Sequence, residues 1–260
     1  MNKEQILYED KDIIVCHKPA GIATQTARIG QFDMVSEVSN YLGAPIKLVH
    51  RLDQPVEGIL VFARNQKAAG ELSRQITSDQ MEKYYYAVVV QNQEKNKAPD
   101  TTNDITLINY LYKDNKSNSS SVVAKDKNGA KRAELCYRIL NWLPVVEFCK
   151  EYNNRSVSTN FNDKDNFKSI INFGEMNIAL TRIKLLTGRH HQIRVQMSNA
   201  GMSLLGDYKY ADEKTRELSD MLAQKNIALC AYELIFDHPA TGKRMTFHKD
   251  PTGQIFQNFL

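Results

Sequence analysis

Residues 48–65 have the sequence LVHRLDQPVEGILVFARN, and the compact apolar run at 59–63 predicts a buried strand. Pro55 and Gly58 precede that run and predict a turn that leads into the strand. Asp53 therefore lies in irregular backbone just before a strand. An acidic side chain in a loop with apolar elements on both sides is a candidate for chemistry, and equally for a structural ion pair.

Upstream of this stretch, DIIVCHK at 12–18 predicts a short buried strand that ends at Pro19. Apolar residues recur at helical spacing over 34–41, where Asp33 is suited to cap the first turn and Gly43 to end the helix.

Downstream, the apolar periodicities predict a helix over 67–76, strands over 83–90, 135–149 and 176–186, helices over 190–200 and 215–223, and strands over 228–236 and 244–248. Two polar stretches, near 91–128 and 150–172, predict surface insertions, the first containing one hairpin. Many strands, few helices and no regular alternation indicate an α+β fold around a largely antiparallel sheet flanked by helices.

The composition limits the class of protein. A chain of 260 residues with 42% hydrophobic content is long enough to bury one large core or two small ones. A charged start and the absence of a long apolar run predict a cytoplasmic protein. The four cysteines stand singly, which argues against a metal knuckle or a disulfide framework. The net charge of +4 permits an RNA partner without requiring one.

Arg194 is the informative residue of the helix predicted over 190–200. At 3.6 residues per turn it lies between Ile193 and Met197, on the stripe that should face inward. A buried guanidinium needs an ionised carboxylate beside it, and it would favour the charged form of that carboxylate in return. Asp53 is the favoured partner, and a purely structural ion pair is the alternative.

Three separated blocks of sequence now fit together: HRLDQPVEG at 50–58, KYYYA at 83–87 and LLTGRHHQIRVQMSNAGMSLLGD at 185–207. Together they resemble the RluA family of RNA pseudouridine synthases. In that family, an HRLD block supplies the essential aspartate, a K-x-Y block a tyrosine, and a TGRxHQIR block an arginine paired with the aspartate. The opening residues and HPATGKRMTF at 238–247 also resemble the family, so the likeness covers most of the chain.

The resemblance implies the catalytic residues. Asp53 corresponds to the catalytic carboxylate, Tyr85 to a ring placed against the target base, and Arg194 to the ion-pair partner of Asp53. For Tyr85 the alternative is an aromatic side chain of a core strand. Arg51 corresponds to the arginine that enters the RNA stack when the uridine leaves it.

Further RNA contacts are expected from His50, Lys83, Arg189 and His191. Weaker candidates for phosphate contacts, which solvated surface charges would explain equally well, are Lys47, Arg64, Lys67, Arg74 and Lys209. The chain departs from the family pattern at Val56-Glu57, at His190 and at Cys230, where the family commonly has Thr-Ser, Thr and His. Glu57 is expected to add negative charge near the RNA path.

Family membership implies isomerisation of specific uridines in structured ribosomal or transfer RNA, with no metal and no organic cofactor. Because the resemblance begins almost at residue 1, we expect one catalytic domain over 1–260 without a separate N-terminal RNA-binding domain, and we expect it to act as a monomer. The uridine must be flipped out of its helix, which costs roughly a few kcal/mol of stacking.

Two other functions remain open. A non-catalytic RNA-binding module on the same fold would need the basic surface but not Asp53. A metal-dependent hydrolase would draw its ligands from His50, Asp53, His190, His191 and Asp207, although their spacing fits no standard ligand pattern.

Overall fold

The computed structural model describes residues 2–26, 30–92, 99–155 and 172–260. The chain folds into two compact units, of which the first comprises Met1–Tyr85 and Cys230–Pro251 and the second Tyr86–Leu229 and Thr252–Leu260. The prediction of one catalytic domain over 1–260 stays a prediction. Within the described ranges, no helix has the length and apolar character needed to span a membrane.

In chain order, the elements are β1 (Ile6–Glu9), β2 (Ile13–Lys18), α1 (Met34–Leu42), β3 (Lys47–Leu48), β4 (Glu57–Ala63), α2 (Gln66–Thr77), β5 (Glu82–Asn92), β6 (Ile105–Asp114), β7 (Ser119–Val123), β8 (Lys131–Pro144), α3 (Val145–Arg155), β9 (Met176–Leu185), α4 (Gln192–Asn199), β10 (Met202–Leu204), α5 (Glu213–Met221), β11 (Leu229–Asp237) and β12 (Arg244–His248). Short 3-10 helices occupy Lys3–Gln5 and Gln254–Asn258.

In the first unit, the strands follow the order β1-β2-β4-β11, with β3 added to β4 and β12 to β11. The pairing of β4 with β11 is parallel, and the pairings β1–β2, β2–β4, β3–β4 and β11–β12 are antiparallel. Every residue of β2 and β4 is buried. Ile13, Val61, Leu72 and Phe236 belong to the core that these strands share with α2. Such continuous burial requires cover on both faces, which explains the unbroken apolar runs in the sequence.

In the second unit, the order is β5-β9-β8-β6-β7, and β10 pairs with β5. The pairings β8–β9, β6–β8, β6–β7 and β5–β10 are antiparallel. Leu111, Ala133 and Val195 form a small core between this sheet and α4. The mainly antiparallel sheets with flanking helices confirm the predicted α+β class.

Helix α1 follows the sequence expectation closely. The Asp33 side chain accepts a hydrogen bond of 2.7 Å from the Ser36 N–H, and Gly43 ends the helix with a left-handed φ of 62°. The predicted helices around 67–76, 190–200 and 215–223 are likewise present, each with ends shifted by a few residues.

The single strand predicted over 135–149 is wrong in its second half, because the chain turns from β8 into α3 after Pro144. Val145, Phe148, Cys149 and Tyr152 are all buried and recur at helical spacing, so the apolar run is the inner face of a helix. Proline has no N–H to continue a ladder, which makes it a suitable last residue for β8.

The two polar insertions have different outcomes. The hairpin expected within 91–128 is confirmed as β6 and β7, and β6 also pairs with β8, so this stretch is an integral part of the sheet. Of the stretch 150–172, the first residues complete α3, while 156–171 lie outside the described residues.

Candidate functional site

Asp53 lies in irregular backbone between β3 and β4, as the sequence predicts, and its side chain is partly exposed. On either side of it, Leu52 and Val56 are only 6% and 2% exposed and anchor the loop in the first unit. The Val56 N–H donates to the Asp53 carbonyl at 3.0 Å, which closes a turn around Asp53. The carboxylate is therefore held between two buried neighbours.

The segment that follows β2 holds the loop on both sides of Asp53. The Thr24 hydroxyl donates to the Leu52 carbonyl at 2.8 Å and accepts from the Leu52 N–H at 3.1 Å. The Gly21 N–H donates to the Gln54 carbonyl at 2.8 Å, and the Gln54 side-chain amide donates to the Gly21 carbonyl at 3.0 Å. Four hydrogen bonds thus fix the backbone before and after the carboxylate.

Lys18 is a third attachment that the sequence interpretation missed. It is the last residue of β2 and is fully buried. Its Nζ donates to the carbonyls of Pro19 at 3.0 Å, Ile22 at 2.7 Å and Gln54 at 3.1 Å. The signal in the sequence was a lysine at the end of an otherwise apolar strand.

Lys18 also places a cation close to Asp53. Burial lowers the pKa of Lys18 from its usual 10.5 to about 8, and the negative charges of Asp53 and Glu57 oppose that shift. The ammonium is therefore mostly protonated at neutral pH. A buried cation near the candidate carboxylate is the electrostatic arrangement that an acid needed in its charged form requires.

Glu57 is buried in β4, with 5% of its surface exposed. Its Oε2 lies 3.8 Å from His17 Nε2, and its register partner on β11 is Cys230. Two departures from the family pattern are therefore direct neighbours. The expectation that Glu57 adds negative charge near the RNA path is corrected in one respect, because this carboxylate acts in the interior, where it opposes the lowering of the pKa of His17 by burial.

Tyr85 is the second predicted catalytic residue in the first unit, and it is 5% exposed in β5. Burial raises the pKa of its phenol, and the negative charge of Asp53 raises it further. Tyr85 and Asp53 are therefore close enough to interact electrostatically, and the phenol is neutral at physiological pH.

The predicted RNA contacts of the first unit differ in accessibility. Arg51 is exposed, and its Nη2 donates to Gln25 Oε1 at 3.0 Å. His50 Nε2 accepts from the Val61 N–H at 3.2 Å, so the ring is anchored to β4. Burial, then the charge of Lys83, lowers the pKa of His50 to about 3. Lys83 is partly buried as well, and burial lowers its pKa.

In the second unit, Arg194 is 6% exposed in α4. Its Nε and Nη2 donate to the two carboxylate oxygens of Asp207 at 2.8 and 2.7 Å, and Asp207 is itself buried. The predicted burial of Arg194 against a carboxylate is therefore confirmed, and Asp207 supplies a carboxylate that was not foreseen in this role. The pairing of Arg194 with Asp53 stays a prediction.

The remaining predicted contacts lie at the start of α4. Arg189 is exposed, and its Nε donates to the Arg132 carbonyl at 2.9 Å. His191 Nδ1 lies 2.7 Å from the Tyr210 hydroxyl, and its ring stacks on that of His190 with 3.7 Å between centroids. Arg189 can face a ligand, whereas His191 is tied into the unit.

The candidate ligands of a metal-dependent hydrolase do not form a site among the described residues. The single group of three ligand atoms that lie within 4.8 Å of one another there consists of Asp10, Asp12 and His238. In that group, His238 Nδ1 accepts from the N–H groups of Ala240 and Thr241, and Nε2 lies 2.7 Å from Asp10 Oδ2. Both ring nitrogens already have partners, which indicates a structural hydrogen-bond network.

Comparisons with known proteins identify a matching family and several relatives. A family model described as RNA pseudouridylate synthase matches residues 12–199. A ribosomal large subunit pseudouridine synthase C of Rickettsia conorii is 27% identical over 235 residues, which cover 90% of this chain and 65% of that protein. A tRNA pseudouridine synthase C of Pasteurella multocida is 25% identical over 249 residues, covering 93% of this chain and 89% of that protein.

Among solved structures, human RNA pseudouridylate synthase domain containing 1 superposes with a TM-score of 0.66 at 18% identity, covering 95% of this chain and 83% of that one. This similarity shows the shared fold.

Proposed function

Because this chain belongs to the RNA pseudouridylate synthase family, in its RluA branch, we propose that it isomerises uridine in RNA to pseudouridine with Asp53 as its catalytic carboxylate. The observation that carries the proposal is the setting of Asp53. The carboxylate sits in a loop pinned on both sides by hydrogen bonds, near the buried ammonium of Lys18 and the phenol of Tyr85.

The reaction breaks the bond between ribose C1′ and uracil N1 and forms a bond from C1′ to uracil C5. The proton that C5 loses is balanced by one that N1 gains, so no electrons are exchanged. A carboxylate suits this chemistry, whether it attacks C1′ or removes the proton from C2′, because both roles require its ionised form. Lys18 supports that form of Asp53 from beneath the loop.

Tyr85 is proposed to lie against the flipped base, where a neutral ring provides a stacking surface. Arg194 is proposed to pair with Asp53, as the family resemblance implies. Its bidentate contact with Asp207 would keep the guanidinium in a fixed orientation for that role. Arg51 and Arg189 are exposed cations within the first and third blocks, and they are proposed to contact RNA.

The substrate is proposed to be a structured ribosomal or transfer RNA, because the named relatives act on these two classes. We also propose that the protein works as a monomer in the cytoplasm and needs no cofactor for this isomerisation.

The test replaces Asp53 with Asn, which preserves size and removes the charge. Pseudouridines are mapped in ribosomal and transfer RNA from cells lacking the protein, complemented with wild type, Asp53→Asn or the control Glu217→Gln. Glu217 is exposed on α5. We expect at least one modified site to vanish without the protein, to return with wild type and Glu217→Gln, and to stay absent with Asp53→Asn.

Complete restoration by Asp53→Asn would overturn the catalytic role and favour the RNA-binding module. A deletion strain that loses no modified site would overturn the proposed activity itself.

A further inference from the structure

The positive charge of this protein is concentrated in one short part of the chain. Residues 105–132 contain six basic and two acidic side chains, an excess equal to the +4 of the whole sequence, so the remainder is balanced. The acidic side chains are Asp114 and Asp126, and the basic ones, all exposed, are Lys113, Lys116, Lys125, Lys127, Lys131 and Arg132. We refer to residues 105–132, which comprise β6, β7, the following turn and the first residues of β8, as the basic hairpin.

Two lysines of the basic hairpin lie over aromatic rings of β6. Lys127 Nζ is 4.3 Å from the centroid of the Tyr112 ring, and Lys125 Nζ is 5.9 Å from that of Tyr110. A Cβ added at Gly129 would lie only 3.4 Å from the Tyr112 ring, so the turn itself packs closely on β6. The contact with a ring holds each ammonium in place and leaves N–H donors free for an anion.

Within the second unit, the basic hairpin is attached to residues 189–210, which include most of the third block and the residues that follow it. The Ser120 N–H donates to the Tyr210 hydroxyl at 2.9 Å, and Ser120 Oγ lies 2.9 Å from His190 Nδ1. Lys209 Nζ donates to the carbonyls of Ser117 and Asn118 at 3.1 and 2.7 Å. Together with the bond from Arg189 to the Arg132 carbonyl, these contacts place the charge at a fixed position beside the block that contains Arg194.

We propose that the basic hairpin binds backbone phosphates of the substrate RNA, with Lys125 and Lys127 as the main contacts. This inference rests on the proposed function, since it names the surface by which the same enzyme holds its RNA. Arg132 contributes less, because it already forms an ion pair with Glu134. Phosphate contacts carry no sequence information, so the hairpin positions RNA and leaves the choice of uridine to other residues.

An RNA backbone fits this surface better than an acidic protein does. Tyr110 and Tyr112 are partly exposed, and aromatic rings combined with lysines are the components with which proteins bind nucleic acid strands, the cations meeting phosphates and the rings meeting bases. Ile108, 52% exposed on the same face of β6 as Tyr110 and Tyr112, extends the apolar part of the surface. The stretch thus offers both kinds of contact side by side.

The experiment compares Lys125→Gln/Lys127→Gln with Lys214→Gln/Lys225→Gln, which removes the same charge from exposed lysines in and after α5. Binding of a fluorescent RNA hairpin with a uridine-rich loop is measured over a range of salt concentrations. We expect the hairpin pair to raise Kd roughly 5–20-fold and to reduce the slope of log Kd against log salt by about 1.4–1.8, the value for two lost phosphate contacts. The control pair should leave the slope close to that of wild type.

Unchanged binding by the hairpin pair, or equal losses in the two pairs, would overturn the inference. Poly-glutamate is the competing probe, and if it displaces RNA as well as unlabelled RNA does, the surface is one for acidic polypeptides and the proposal is wrong. The result of this binding experiment is independent of the result for the catalytic proposal, because RNA binding is measured without turnover. Pseudouridine formation by wild type with normal binding by the hairpin pair would reject this inference alone.

Discussion

At the scale of single residues, Lys18 and Glu57 determine the electrostatics around Asp53. Lys18 is fully buried and is mostly a cation at neutral pH, although the cost of burial has moved its pKa to about 8. The negative charges of two carboxylates, Asp53 and Glu57, both favour the protonated form of Lys18. Proton loss from Lys18 would leave both acids without their shared cation, so activity should depend on its protonation.

We therefore expect kcat for pseudouridine formation to fall as pH rises through about 8, where Lys18 loses its proton. Stability should respond in the opposite sense. Between about pH 8 and pH 10.5, Lys18 is protonated in the unfolded chain but not in the folded protein. The contribution of Lys18 to the free energy of unfolding therefore increases as pH rises through that range. Rates at saturating RNA and urea unfolding are measured across the same pH range. A fall in activity that parallels a loss of folded protein would contradict this assignment.

Glu57→Gln provides a matched variant, because it removes one of the two charges that raise the pKa of Lys18. The alkaline limb of the rate profile should move to lower pH in this variant. A limb that stays in place would assign the alkaline loss to a different group.

The limits of sequence interpretation are also visible in these residues. Asp53 could be singled out because a carboxylate between apolar elements is unusual, and Arg194 because it interrupts an apolar helix. The pairing of Arg194 with Asp207 could not be predicted, because ion pairing depends on how a loop folds back over a helix and not on the spacing of residues. Gln192 and Gln196 are buried as well, so α4 is enclosed on all sides and the inward stripe was only part of the reason for burial.

At the scale of elements, strands with strong patterns were predictable and the transition from β8 to α3 was not. The stretch 135–149 contains strand-forming and helix-forming periodicities in direct succession, and a short apolar run does not distinguish them. Pro144 was the one local signal that separated the two. Tertiary packing decided the rest, since Val145 and Phe148 meet the core only in a helix.

The close approach of β4 and β11 depends on Gly58. Its φ is 137°, and a Cβ there would lie 2.5 Å from both the N and O of Ala231. We expect Gly58→Ala to lower the free energy of unfolding by about 2–3 kcal/mol, from backbone strain and overpacking. Gly70→Ala is the control, because Gly70 lies in α2 with no atom near the added Cβ, and it should raise stability by roughly 0.4–1 kcal/mol. Urea denaturation of both variants measures this, and equal effects would refute the explanation.

At the scale of the whole molecule, histidines buried in the neutral state set the response to acid. Burial lowers the pKa of His50 to about 3, and it also lowers the pKa of His17. The unfolded chain binds these protons near pH 6.5, so stability is complete above that value and declines as pH falls below it.

We expect His50, whose pKa lies at about 3, to lower the free energy of unfolding by about 1.4 kcal/mol per pH unit between pH 6.5 and 4.5, and His17 to lower it further. Asp10 and Asp33, whose pKa values hydrogen bonds hold below the usual range, should contribute further losses only at lower pH. His50→Gln retains an oxygen able to accept from the Val61 N–H and should make the decline shallower. Urea unfolding at a series of pH values tests this, and an unchanged slope in His50→Gln would exclude His50 as a source.

The hydroxyl of Thr24 forms hydrogen bonds with both the N–H and the carbonyl of Leu52. The N–H and the carbonyl of Leu52 belong to the two consecutive peptide groups on either side of its Cα, so neither group can rotate without breaking its hydrogen bond to Thr24. The backbone at Asp53, the next residue, is therefore already positioned before RNA binds. The entropy of arranging the reactive oxygen is lost during folding and not at each turnover.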